Sequence, residues 1–308
     1  MKTLKLTIAT LALGIVVCSP KANATELSAT TQLSKSGLEL VQTNLKDAEK
    51  HFNSGNERFK QKDYRGAIAD YTKAIEINPN HADAYFNRGR ARYKLKDDRE
   101  AIADYTKALE INPNFPQAYY NRGLIRNRLK DYRGAIADYT KAIPNYSGVY
   151  LADAYYNRGR ARYNLKDFQG AIADYTKAIP NYSGVRLAET YYNRGIARLD
   201  LKDYQGGIAD NTKAIEINPN YAQAYYNRGV ARLKLKDYQK AIADYTKAIE
   251  NNPNFAEAYN NRGIARALSG EKQAAITDLQ KAAQLYQKQG NKAQAQKLVE
   301  LIAKVKSL

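Results

Sequence analysis

Apolar and polar positions along this chain follow a helical rhythm that is copied at a fixed period. The copy is clearest from Ala222 to Phe255 (AQAYYNRGVARLKLKDYQKAIADYTKAIENNPNF), a stretch of 34 residues. Tyr225 and Gly229 line one side of its first half; Ala241, Tyr245 and Ala248 line one side of its second. Spacings of three and four residues are those of helices with one packing face. Each copy therefore predicts two helices. In the second copy the first helix is expected from about Asp83 to Leu95 and the second from about Asp98 to Ile111. Asp97 between them is a good N-cap, and Asp63, Asp131, Asp167, Asp203 and Asp237 hold the same place. Pro79, Pro113, Pro219 and Pro253 stop the second helices, because proline cannot continue a helix.

The tripeptide Asn-Arg-Gly marks the register. It begins at Asn87, Asn121, Asn157, Asn193, Asn227 and Asn261, with spacings of 34, 36, 36, 34 and 34, and a worn copy, Asn53-Ser54-Gly55, precedes them. A period of this size predicts a stack of repeats in which each unit packs only on its neighbours. The repeats are expected at 48–81, 82–115, 116–151, 152–187, 188–221, 222–255 and 256–286. The third and fourth carry two extra residues (PNYSGVY and PNYSGVR). Tolerated loop growth is the plain explanation; a bend, or a contact site at Tyr146 and Tyr182, is the sharper one. Residues 287–308 place Ala293, Leu298, Leu301, Ile302 and Val305 in an apolar stripe, as expected of a helix capping the stack.

The N-terminus breaks the rhythm. Lys2 and Lys5, then the apolar run Leu6 to Val17, then Ala22-Asn23-Ala24, have the form of an export signal over residues 1–24. The run is shorter than the ~20 residues that span a bilayer, so cleavage is expected, and the mature chain then carries no membrane span and no Cys. Residues 25–47 read as a polar linker that can turn helical from Leu38.

Composition narrows the chemistry. The formal charge is +18, with 26 Tyr, no Trp, two His and one Cys. Little material exists for metal or thiol chemistry, so no cofactor, no metal and no catalytic residue is expected. The basic charge points to an acidic partner. Nucleic acid also suits a basic surface, but the export signal argues against it.

Tyr225, Gly229, Ala241, Tyr245, Ala248 and Pro253, in order and repeated in register, resemble the tetratricopeptide repeat over about residues 48–286. The resemblance implies an all-α fold: a right-handed superhelical solenoid of helix-turn-helix units with a C-terminal capping helix. His51 and His81 fall in aromatic columns and read as packing residues.

Two columns depart from the family pattern. Arg replaces the usual apolar residue before the Gly at Arg88, Arg122, Arg158, Arg194, Arg228 and Arg262, and again four residues later at Arg92, Arg126, Arg162, Arg198, Arg232 and Arg266. Both columns fall on the packing face, where an unpaired charge is costly. Asp70, Asp104, Asp138, Asp174, Asp210, Asp244 and Asp278 recur once per repeat at the edge of the second helix's apolar face. An internal Arg–Asp ladder is expected, since a guanidinium grips a carboxylate two-handed. The rival is a set of arginines free for ligand.

The family's first helices line a concave, peptide-binding surface. On the face opposite the packing stripe the early repeats present Phe86, Arg90, Tyr93, Lys94, Tyr120, Arg128, Tyr156, Arg160 and Tyr163, basic and aromatic. The later ones present Tyr192, Ile196, Leu199, Tyr226, Val230, Leu233 and Ile264, mainly apolar. The column Asn87, Asn121, Asn157, Asn193, Asn227 and Asn261 can bond a peptide backbone as donor and acceptor. A bound segment is expected, acidic toward the first half and apolar toward the second; simple interhelix packing of the tyrosines is the alternative. The family's carboxylate clamp is not matched, because Asp83, Gln117, Asp153 and Phe86 stand where its lysines are needed.

Lysines form two further columns, Lys62 to Lys236 at the turn and Lys73 to Lys281 on the second helix. They read as solvated faces, or as an edge for an anionic envelope polysaccharide or lipid surface. The expected function is a non-catalytic scaffold, exported to the periplasm or another extracytoplasmic compartment, that holds a protein segment for assembly or maintenance of an envelope complex. The anionic-polymer binder is the alternative.

Overall fold

The computed structural model describes residues 24–307. The export signal expected over residues 1–24 lies outside them except for Ala24. The described residues form fifteen α-helices and two short 3₁₀ turns, with no strand among them. They fall into two compact units that divide between Asp97 and Asp98.

The first unit contains α1 (Ala24–Lys60), α2 (Tyr64–Ile77) and α3 (Ala82–Lys94). Residues 25–47, expected as a polar linker, are instead helical throughout and continuous with the first helix of the first repeat. The stretch has no Pro and is rich in Leu, Glu, Gln and Lys, which lose little freedom in a helix. Leu40 and Leu45 on it are 64% and 49% exposed, so propensity rather than burial accounts for its helicity. The core begins at Ala48 and continues through Phe52 onto Tyr71 and Ile75.

The second unit contains α4 (Asp98–Ile111), α5 (Pro116–Arg128), α6 (Tyr132–Ala142), α7 (Gly148–Asn164), α8 (Phe168–Ala178), α9 (Gly184–Asp200), α10 (Tyr204–Ile217), α11 (Ala222–Lys234), α12 (Tyr238–Asn251), α13 (Ala256–Leu268), α14 (Lys272–Lys288) and α15 (Lys292–Ser307). Helices adjacent in sequence pack against one another. In repeats three, four and six a tyrosine of the second helix fills the space beneath a glycine of the first: Tyr139, Tyr175 and Tyr245 are at most 2% exposed. A methyl group on Gly229 would stand 2.8 Å from Tyr245 Cε1, so the close approach requires glycine there. Repeats five and seven depart: Asn211 and Leu279 take the tyrosine place, and Gly207 takes an alanine place in repeat five.

The capping aspartates work with a glycine three residues on. Asp63, Asp131, Asp167 and Asp203 accept from the amides of Gly66, Gly134, Gly170 and Gly206 at 2.9–3.0 Å. A Cβ at these glycines would collide with the carboxylate. Asp237 faces Lys240 instead, pairs with its ammonium at 2.9 Å and makes no cap bond. Just before each cap, Lys62, Lys96, Lys130, Lys166, Lys202 and Lys236 adopt φ of 62–67°. The left-handed conformation ends the helix. The seventh repeat satisfies it more easily, with Gly270 at φ 89°.

The extra residues of repeats three and four are absorbed by helix. Proline at 144 and 180 closes a 3₁₀ turn (Ile143–Asn145 and Ile179–Asn181), and α7 and α9 then start at Gly148 and Gly184, ahead of the repeat boundaries expected at 152 and 188. Tyr146 is packed, its ring 6.0 Å from that of Tyr120. The last helix starts at Lys292, so its buried stripe is Ala295, Leu298 and Val305. Ala293, expected in that stripe, is exposed. No helix of the described residues is long and apolar enough to cross a membrane.

Candidate functional site

The first helices carry two opposed rows of polar side chains. The Arg row lies inside. Arg122, Arg158, Arg194, Arg228 and Arg262 each bring Nη2 to within 2.6–2.8 Å of Asp138, Asp174, Asp210, Asp244 and Asp278 of the same repeat. The second arginine of each pair, Arg126, Arg162, Arg198, Arg232 or Arg266, reaches the same carboxylate at 2.7–2.8 Å. Every one of these aspartates is nearly sealed from water, Asp174 at 1%. The separations are those of charge-assisted hydrogen bonds, and they engage these arginines inside the fold.

Sequence reasoning missed the third partner. Arg122 Nη1 donates to Thr106 of the preceding repeat at 2.9 Å, and Arg158, Arg194, Arg228 and Arg262 do the same to Thr140, Thr176, Thr212 and Thr246 at 2.9–3.0 Å. In the first unit Arg88 donates to Thr72 at 3.0 Å. Each hydroxyl in turn donates to the carbonyl four residues back, as Thr106 does to Ile102, so it presents a lone pair to the guanidinium. The flat face of each arginine stacks on a tyrosine one turn earlier, for example Arg158 on Tyr155 at 5.4 Å. The signal was present in the sequence as a Thr two residues after every ladder Asp but the last before the cap.

The opposite row was expected to face ligand. Much of it is used for cohesion. Asn157 and Asn261 donate through Nδ2 to the hydroxyls of Tyr120 and Tyr226 at 3.1 and 3.0 Å, and Asn193 to Tyr156 at 2.9 Å. In the first unit Asn87 donates to Asn56 Oδ1 at 3.0 Å. The asparagine donors are thus directed at the preceding repeat rather than at solvent. Tyr156 and Asn157 are 8% and 7% exposed, which corrects their placement as ligand-facing residues. Tyr226, Val230 and Leu233 pack on Tyr245 of the second helix, and the Tyr163 hydroxyl donates to Asp200 at 2.7 Å. Burial raises the phenol pKa of Tyr156, Tyr192 and Tyr226, so all three stay neutral.

What remains open are the positions one step further round the helix. Arg90, Lys94, Arg128, Arg160 and Lys234 are exposed. Arg128 pairs with Asp98. Asp153 is bridged by Tyr182 at 2.6 Å and Arg186 at 2.5 Å, and Arg186 stacks over both Tyr156 and Tyr182 at 5.4 Å. Arg160 lies over the rim of Tyr156, 6.0 Å from its centre.

Models described as tetratricopeptide repeat match residues 82–115, 152–180, 188–221 and 222–255, and a further one 104–137 and 244–277; a model described as TPR repeat matches 55–96. A search of curated proteins finds no significant match. Among solved structures, the crystal structure of MamA protein is similar at 27% identity, covering 57% of this chain and 93% of that one, with a TM-score of 0.51. Two bacterial structures share the fold at lower identity. The C-terminal part of a TPR repeat-containing protein from Cytophaga hutchinsonii is 22% identical, covers 76% of this chain and 95% of its own, and has a TM-score of 0.63. A tetratricopeptide repeat protein from Parabacteroides merdae is 21% identical over 84% of this chain and 99% of its own, with a TM-score of 0.54. Taken with the tyrosine-under-glycine packing of every ordinary repeat and the unbroken run of helix pairs, these matches place the chain in the tetratricopeptide repeat family.

Proposed function

We propose that this chain is an exported, non-catalytic scaffold that holds a protein segment on the free face of its first helices, in the assembly or upkeep of an envelope complex. One observation carries the reading. The buried columns repeat almost without change, whereas the position after each glycine runs Arg90, Leu124, Arg160, Ile196, Val230, Ile264, exposed at Arg90 and Arg160 and half-buried at the others. A frame that is constant and a face that varies are what a linear, sequence-selective binder needs. The drift from basic to apolar favours a segment that is acidic at one end and apolar at the other.

The second-helix lysines give less support to an anionic polymer as ligand. Lys107, Lys213 and Lys247 each lie 2.7 Å from a glutamate three residues on. The turn lysines are exposed, and they keep that second reading alive as a salt-sensitive one.

The test is capture from envelope extract by the tagged mature chain, comparing wild type with Arg160→Glu and Ile196→Glu. Both sites sit outside the ladder, so the melting curve should hold while the captured protein is lost. Capture unchanged by either variant, or capture abolished by modest salt alone, would refute the groove. The mass of the exported protein tests removal of residues 1–24.

A further inference from the structure

The first unit contains an open cleft of about 620 Å³ whose lining is almost entirely donors and aromatic rings. Lys60 and Lys62 enter from the end of α1 and its turn, and Arg90 and Lys94 from the last turns of α3; Phe59, Tyr64 and Tyr71 supply the apolar wall. The one acid lining it, Glu57, is held by Lys60 at 2.7 Å. Lys62 and Lys94 have no acidic partner among the described residues. Arg90 bonds only the amide oxygen of Asn87, at 3.1 Å, and stacks over Phe59 at 4.7 Å.

The floor adds a neutral donor. Asn56 Oδ1 accepts from Tyr71 at 2.9 Å and from Asn87 at 3.0 Å. Two donors on one oxygen fix the flip of the carboxamide, so its amine is left as a donor. A cleft with an excess of cations, a fixed amide donor and a ring wall complements a carboxylate next to an aromatic or large apolar side chain.

We infer that this cleft is a dedicated anchor for an acidic–aromatic element of a partner peptide, gripping the carboxylate with Arg90, Lys94 and the Asn56 amide and seating the ring along Phe59 and Tyr64. It rests on the scaffold reading and sharpens it: the basic end of the binding face is a bounded site, not a diffuse field.

The chain lacks Trp, so a probe can carry the signal. The probe is a short synthetic peptide with one tryptophan flanked by aspartates, titrated with the full mature chain and read by indole emission. The expected result is saturable one-to-one binding, weakened about tenfold by Arg90→Ala and by Lys94→Ala, a loss typical of one charge-assisted bond. Lys73→Ala, an exposed cation outside the lining, should leave it unchanged. Lys62→Gly also removes a cleft cation, and it relieves a positive φ, so a weaker complex there does not come from a weaker fold. An asparagine version of the peptide should bind at least tenfold worse, and an aspartate peptide with alanine for tryptophan should compete poorly.

Equal weakening by Lys73→Ala overturns the site in favour of general attraction. Absence of binding, or binding indifferent to the ring, overturns it too. Vesicles containing phosphatidylglycerol that bind with the same Arg90 and Lys94 dependence, where the peptide does not, assign the cleft to lipid phosphate and overturn it. If the peptide arm fails while capture from envelope extract still depends on Arg160 and Ile196, the cleft falls and the scaffold stands.

Discussion

Removing Asp174 is the sharpest test of what holds the array together. Its carboxylate accepts from Arg158 Nε at 2.9 Å, Arg158 Nη2 at 2.7 Å and Arg162 Nη1 at 2.8 Å. Asp174 is 1% exposed and Arg158 8%. Three charge-assisted bonds taken separately would suggest a very large loss. Arg158 nevertheless keeps Thr140 and the Tyr155 ring, and Arg162 keeps the Gly170 carbonyl at 3.2 Å. What is lost is compensation of one buried cation, which costs about 3–5 kcal/mol. Asp174→Ala should therefore unfold at markedly lower urea, followed by circular dichroism. Hydrogen exchange should locate the opening in residues 152–187 and the adjoining repeats, because each unit is stabilised only by its neighbours. Glu216→Ala, which breaks the exposed pair with Lys213, should cause no measurable change. A loss below about 1 kcal/mol at Asp174, the range of an exposed pair, would refute the claim that the ladder is structural. A double replacement, Arg158→Leu with Asp174→Leu, should recover much of the loss, since a well-packed apolar pair can equal a buried ion pair.

Three further outcomes follow from the backbone and the core. Lys236→Gly should raise stability by about 0.5–1 kcal/mol, since φ of 63° strains any residue with a Cβ; a melting temperature at or below wild type would contradict this. Asn211 is fully buried with its Oδ1 unpaired, and Leu279 fills the same column in repeat seven; Asn211→Leu should stabilise by about 1–3 kcal/mol in urea titration, the cost of an unsatisfied buried polar atom. Alkali should unfold the array: burial lifts Tyr71 and Tyr286 from 10.0 to about 12. A raised acid pKa means stability that is complete below pH 10 and is lost as pH rises toward 12. Phenolate absorbance should therefore lag the ordinary titration until the helical signal falls; a titration centred near 10 would count against it.

Legibility in the sequence followed periodicity. A position that recurs at 34 or 36 residues can be assigned a face, and so the helix pairs and the partnership of Arg122 with Asp138 were readable. The wheel does not say which neighbouring repeat a side chain meets. It put Asn157 and Tyr156 on one free face; the rise of the stack instead brings Asn157 to the Tyr120 hydroxyl of the repeat before. Thr106 was overlooked because a small hydroxyl carries no hydropathy signal. Its role appears only once Arg122 is placed beside it. Residues outside the period were least legible. Ala293 was assigned by continuing the stripe, but α15 starts afresh at Lys292 and its phase selects Ala295. The lysine at the turn looked like solvent-facing charge, and its second property, a positive φ, lies in the backbone.

The two polar rows together explain why an array with arginines on its packing face is not weakened by them. The first arginine of each pair is neutralised within its own repeat by Asp and directed by Thr to the repeat before, so the charge is balanced locally while the hydrogen bond works between repeats. The asparagine row makes the same backward connection on the other side, Asn193 to Tyr156 and Asn261 to Tyr226. A first helix is thus tied to its predecessor along two lines, and its rotation is fixed. Fixing the rotation is what makes the remaining column useful: Arg90, Leu124, Arg160, Ile196, Val230 and Ile264 belong to neither row, and Leu124, Val230 and Ile264 among them lean on the core beneath. Repeat five keeps both rows, with Arg194 on Asp210 and Thr176, yet has Asn211 in its core where its neighbours have tyrosine. Its frame is intact and its filling is poor, so that repeat should open first when the array is stressed, and hydrogen exchange should show residues 188–221 among the earliest in the second unit to lose protection.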